Sequence, residues 1–94
     1  MTEQEIYKKA IDKWGRDSQL GVAQEECAEL IQAISKYFRH GDFKAIEKVI
    51  EEAVDAEIMI NQIKVIFPYQ EIWDKYRKMK LNRVEENLKG SVRT

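Results

Sequence analysis

The sequence predicts an all-α protein whose four-helix-bundle-type core is completed by association of identical chains. Three observations predict it. Apolar residues recur at spacings of three and four over almost the whole chain, the period of a helix with one apolar stripe. The four glycines and single proline punctuate those stretches, chiefly at their ends. No segment shows the strict alternation of a half-buried strand.

The first helix opens at Thr2, with Glu5 at capping-box spacing. It continues through Ile6, Ala10, Ile11 and Trp14, and Gly15 can end it. Asp17 or Ser18 is a candidate cap for the second, which carries Leu20, Ala23, Cys27, Leu30, Ile31, Ile34 and Phe38 on its apolar side. Arg39-His40-Gly41 reads as its end, basic residues and glycine suiting a helix C-terminus. Asp42 can cap the third helix, which runs through Ile46, Val49, Ala53, Ala56, Ile60 and Ile63 to about Phe67, where Pro68 stops it. A fourth, from about Tyr69 to Lys89, presents Ile72, Tyr76, Met79, Val84 and Leu88 for packing. The residues from Gly90 to Thr94 read as a frayed tail.

Ninety-four residues make one domain with a thin core, which favours an obligate oligomer, a homodimer or a dimer of dimers. Sixteen basic and 17 acidic side chains nearly balance. That excludes the strong basic excess of a nucleic-acid binder, although a single nucleotide stays possible where a metal ion neutralises its phosphates. The single cysteine, Cys27, forms no internal disulfide and reads as a core filler, since nothing basic adjoins it to activate a thiol. No apolar run is long enough to cross a bilayer, and the acidic N-terminus is unlike a signal peptide. A cytoplasmic protein is expected.

The carboxylates of helices two and three are the informative feature. Residues three apart on a helix share a face, being about 60° apart. Glu26 and Glu29 form one such pair, Glu52 and Asp55 another. Glu26 falls within the arc of Ala23, Cys27, Leu30 and Ile34, and Glu29 lies further round beside Ala33. Asp55 and Glu52 share an arc with Ala56, Met59 and Ile63. Glu25, Glu47 and Lys48 fall toward solvent. Burying a carboxylate costs several kcal/mol unless it is paired, so four acids converging from antiparallel helices call for a cation. Hard oxygen donors without paired histidine or thiol point to magnesium, with manganese as the alternative. The lone His40 leaves a ferritin-like di-iron site without its Glu-x-x-His elements. The competing reading is of surface charges on ordinary amphipathic helices; two intruding pairs on facing helices weigh against it.

Glu25-Glu26-x-x-Glu29, then Glu52-x-x-Asp55 after a hairpin, resembles the EExxE…ExxD signature of the MazG-like all-α nucleoside triphosphate pyrophosphohydrolases, relatives of dimeric dUTPases and dCTP pyrophosphatases. The resemblance extends to Trp14-Gly15-x-x-x-Gln19-Leu20 before the acidic helix. It also includes Lys78-Met79-x-x-Asn82-Arg83, similar to the family's C-terminal Lys-x-x-x-Asn-Arg element. It implies a single domain over residues 1–94 that hydrolyses a nucleoside triphosphate to monophosphate and pyrophosphate. It further implies magnesium on Glu26, Glu29, Glu52 and Asp55, and phosphate or ribose contacts from Lys78, Asn82 and Arg83. Trp14 and Gln19 would lie near the base or the site's mouth, Trp14 being otherwise a packing residue. Lys36 is a further candidate for phosphate, weighed against a solvated helix charge. One glutamate, Glu26 or Glu29, would help activate water. The rival reading is a non-catalytic helical interaction module, and a narrow dUTPase-like or dCTPase-like enzyme is the alternative within the resemblance.

Overall fold

The computed structural model describes residues 1–90, in four helices: α1 (Glu3–Trp14), α2 (Arg16–His40), α3 (Phe43–Ile66) and α4 (Gln70–Lys89). The described residues contain no strand. None of their helices is long and apolar enough to cross a membrane. The expected tail, from Ser91 on, lies outside the described residues.

Local chemistry sets the joints. The Thr2 hydroxyl accepts from the Glu5 amide at 3.1 Å and starts α1. Asp42 caps α3 in the same way, its carboxylate accepting from the Ala45 amide at 2.9 Å. Neither Asp17 nor Ser18 caps α2, because Gly15, at φ +93°, turns the chain in one step and α2 begins at Arg16. Gly41, at φ +63°, closes α2 by donating to the Tyr37 carbonyl at 2.8 Å. Both glycines hold a left-handed φ that a Cβ would strain. α3 ends at Ile66, ahead of Pro68, as the ring requires.

The two long helices form an antiparallel hairpin, and α1 packs across both of them. The seam is lined with small residues, Ala23 and Ala33 on α2 and Ala56 on α3, with Met59 and Ile66 filling beyond them. Tyr7 and Ala10 bury the inner face of α1, where the Tyr7 hydroxyl accepts from the Asn61 amide at 3.4 Å. This core is narrow, as a two-helix hairpin with one crossing helix must be.

Helix α4 stands apart. It is anchored at its root, where the Trp73 indole donates to the Phe67 carbonyl at 2.9 Å and Lys64 sits 5.6 Å over the Trp73 ring. Beyond that root it has no buried residue, and Ile72, Tyr76, Met79, Val84 and Leu88 are exposed. The radius of gyration is accordingly 16.4 Å, against roughly 13 Å for a compact domain of this length. Four helices are therefore present, of which three pack together.

The apolar stripes of α2 and α3 are broader than what they bury. Ile31, Phe38, Ile46, Ile50 and Val54 are exposed, Phe38 by 79%. Cys27, expected in the core, is exposed too, since the hairpin covers only the side of α2 that carries Gln19, Ala23 and Ala33.

Candidate metal centre at the hairpin seam

Glu26 lies three residues after Ala23 and seven after Gln19, so helical geometry places it on the buried side of α2. Glu52 and Asp55 precede Ala56 and Met59 on the buried side of α3. Antiparallel pairing brings the two stretches level. Glu26, Glu52 and Asp55 each place a carboxylate oxygen within 4.8 Å of those of the other two.

Glu52 is 5% exposed, the most buried acid of the cluster, while Glu26 and Asp55 are half-buried. Glu26 Oε2 and Glu52 Oε2 are buried and have no hydrogen-bond partner. Unpaired buried carboxylate oxygens are costly, and here they gather in one place. Glu29 is exposed and stands outside the group of three, although its charge acts on Glu26. The surroundings push the Glu26 carboxyl above its ordinary pKa. Burial is the largest cause, followed by the charges of Glu29, Asp55 and Glu52.

Among the described residues, one cation reaches this group. Lys48 places Nζ 3.0 Å from Glu52 Oε1 and 3.1 Å from Glu51 Oε1, and the two carboxylates raise its pKa to about 12. Its side chain is 54% exposed, so the solvent-facing expectation fits the stem but misses where the ammonium goes. The Lys48-x-x-x-Glu52 spacing was the available signal, being one helical turn.

The remaining candidates are scattered. Lys36 lines an open cavity of about 580 Å3 at the turn end of the hairpin, together with His40, Lys44, Glu47, Lys48 and Glu51. Through Lys48 that cavity adjoins the acid cluster. Gln19 is 6% exposed, held in the seam and not at an open mouth. Trp14 is exposed at the end of α1, with the Lys13 ammonium 5.5 Å over its ring. Lys78, Asn82 and Arg83 are exposed on α4, which does not pack along α2 or α3, so one chain alone does not bring them to the acids.

The donor set suits a hard divalent cation: three convergent carboxylates, a fourth beside them, and two buried oxygens without partners. Comparison with family models, with curated proteins and with solved structures returned no match.

Proposed function

We propose that the chain is a magnesium-dependent pyrophosphohydrolase of nucleoside triphosphates, of the MazG-like kind that its acidic signature resembles. The observation that carries this reading is the convergence of Glu26, Glu52 and Asp55, with buried, unpartnered oxygens on two of them. An ordinary amphipathic hairpin has no reason to bury Glu52 and turn it toward two further acids.

Magnesium, with manganese as substitute, would sit on Glu26, Glu52 and Asp55, with Glu29 as the fourth candidate. A bound divalent ion neutralises phosphate charge and lowers the pKa of a coordinated water. The protein's own share is positioning, since phosphoryl transfer to water asks little covalent chemistry of side chains. Water adds to the α-phosphorus, the α–β bridging oxygen leaves with pyrophosphate, and Glu26 or Glu29 takes the proton. Lys36 lies on the cavity side of the cluster, where it can meet the departing phosphates.

The working form is a homodimer or a dimer of dimers. The apolar stripe of α4 and the outer faces of α2 and α3 then find cover in a bundle shared between chains. Lys78, Asn82 and Arg83 reach phosphate or ribose within that assembly. The exposed stripes by themselves would also suit a non-catalytic interaction module, which leaves the buried acids unexplained.

The test is a panel of canonical and damaged NTPs and dNTPs assayed with magnesium. Monophosphate and pyrophosphate in equal amounts are expected from at least one. Diphosphate with stoichiometric orthophosphate, or no turnover across the panel, overturns the assignment.

A further inference from the structure

Lys48 stands where the acid cluster meets the turn-end cavity. Its ammonium holds Glu52 Oε1, while Glu52 Oε2 is buried without a partner. No other lysine, arginine or histidine forms an ion pair with Glu26, Glu29, Glu52 or Asp55 among the described residues. Four carboxylates are thus answered by one ammonium.

We infer that Lys48 is a resident counter-ion of this cluster, against which a divalent cation must compete for Glu52. The inference rests on the metal-centre reading proposed above and adds to it a residue that restrains metal affinity.

Two effects of Lys48 oppose each other, and their sizes decide the sign. By holding Oε1, the ammonium helps to orient Glu52, which should favour metal binding. But Glu52 is 95% buried by its packing in the seam, so its side chain has little freedom left for Lys48 to remove. The charge effect has no substitute. An ammonium 3.0 Å from one oxygen of Glu52 would repel a divalent ion held by that carboxylate even at the dielectric constant of water, and at twice the strength of a pair of unit charges. Since Lys48 is half in solvent, screening trims that repulsion to about three- to tenfold in affinity. Repulsion therefore outweighs orientation.

The same ammonium offsets repulsion among the acids when no metal is bound. Its removal should then destabilise the metal-free protein and leave the metal-bound protein nearly unchanged. Metal affinity and metal-free stability are set against each other through a single side chain.

The experiment titrates Mn2+ alone, by calorimetry or by the loss of its free-ion paramagnetic signal, into wild type, Lys48→Met, Lys48→Gln and Lys48→Arg. Melting curves are taken with and without Mn2+. Both neutral variants should bind Mn2+ about three- to tenfold more tightly than wild type, melt lower without metal and gain more on adding it. Lys48→Arg, which keeps the charge, should match wild type in all three respects. Lys48→Gln guards against misfolding of the methionine variant, and the half-exposed site makes failure of both a result against the inference. If wild type binds Mn2+ and the neutral variants bind it no more tightly, the counter-ion role is overturned and the metal centre stands. If wild type itself does not bind Mn2+, the metal centre falls and this role with it.

Discussion

Glu26 on α2 and Asp55 on α3 face each other across the hairpin, with carboxylate oxygens within 4.8 Å. That pairing fixes the register of the seam. Counting seven residues back along α2 and seven forward along α3 brings Gln19 level with Gln62, about 10 Å from the acids. Both amides are buried, at 6% exposure each. The seam thus has a carboxylate level and a carboxamide level, with Ala23 and Met59 between them. In a core this narrow, both levels bear directly on stability.

The acid level should make the metal-free protein sensitive to pH. The pKa of Glu26 is raised above its ordinary 4.5, first by burial and then by Glu29, Asp55 and Glu52. A group whose folded pKa exceeds its unfolded one stabilises the fold fully below the unfolded value. That contribution is lost as pH rises through the folded value. In the pH range above about 4.5 the metal-free protein should therefore lose stability through this residue. Glu26→Gln has no such proton to lose. In EDTA, the melting temperature of wild type relative to Glu26→Gln should fall as pH rises across that window; a constant difference would contradict the argument.

The caps and stops at Thr2, Gly15, Asp42 and Pro68 were legible because each is chemistry between residues a few positions apart. The start of α2 was not, since a single left-handed glycine removed the loop that Asp17 or Ser18 would have capped. The helical wheel brought Glu26, Glu52 and Asp55 to one seam because periodicity alone sets their direction. It overstated burial for Cys27, Ile31 and Phe38, since being apolar does not supply a neighbour to pack against. It also read Glu29 too deep and placed Lys48 toward solvent without its contact to Glu52. A flexible four-carbon stem can leave a helix facing solvent and still return its ammonium one turn along.

The uncovered stripe of α4 carries the assembly prediction. If Tyr76 and Met79 are covered by a second chain, Met79→Glu places a charge in that contact, at a cost of about 2 kcal/mol or more if the site is central. The dimer should weaken by roughly thirtyfold or more, while the hairpin, which α4 does not touch along its length, stays helical. Sedimentation of both proteins at micromolar concentration checks it. A wild type that sediments as a compact, active monomer would contradict the shared bundle.

The carboxamide level gives a separate stability test. Gln62 Oε1 is buried with no hydrogen-bond partner, which costs about 1–3 kcal/mol of desolvation. Gln62→Met has similar length and no such oxygen. It should raise the melting temperature by about 4–8 °C for each kcal/mol recovered, as measured by thermal unfolding. A lower melting temperature would mean that the amide is partnered in solution.

The sharpest test removes one acid at a time. Without metal, Asp55 faces Glu26 and Glu52 with no ion pair of its own among the described residues. Asp55→Asn relieves that repulsion and keeps the shape, so the metal-free variant should be as stable as wild type or more so. Glu52→Gln relieves it too, but gives up the 3.0 Å pair with Lys48. Because that lysine is half in solvent it can rehydrate, so the loss should be small. Both variants should lose turnover on the order of a hundredfold or more, since even residues that merely support metal ligands cost ten- to a hundredfold when changed. Magnesium should raise the wild-type melting temperature, because at a hundred times its dissociation constant a ligand of the folded state adds about 2.7 kcal/mol. The two variants should gain much less. Glu57→Gln serves as the control, since Glu57 is exposed on α3 and does not line the turn-end cavity. It should keep both the turnover and the magnesium response. Near-normal activity in Asp55→Asn, or loss of activity only through unfolding, would remove the helix α3 pair from the proposed centre.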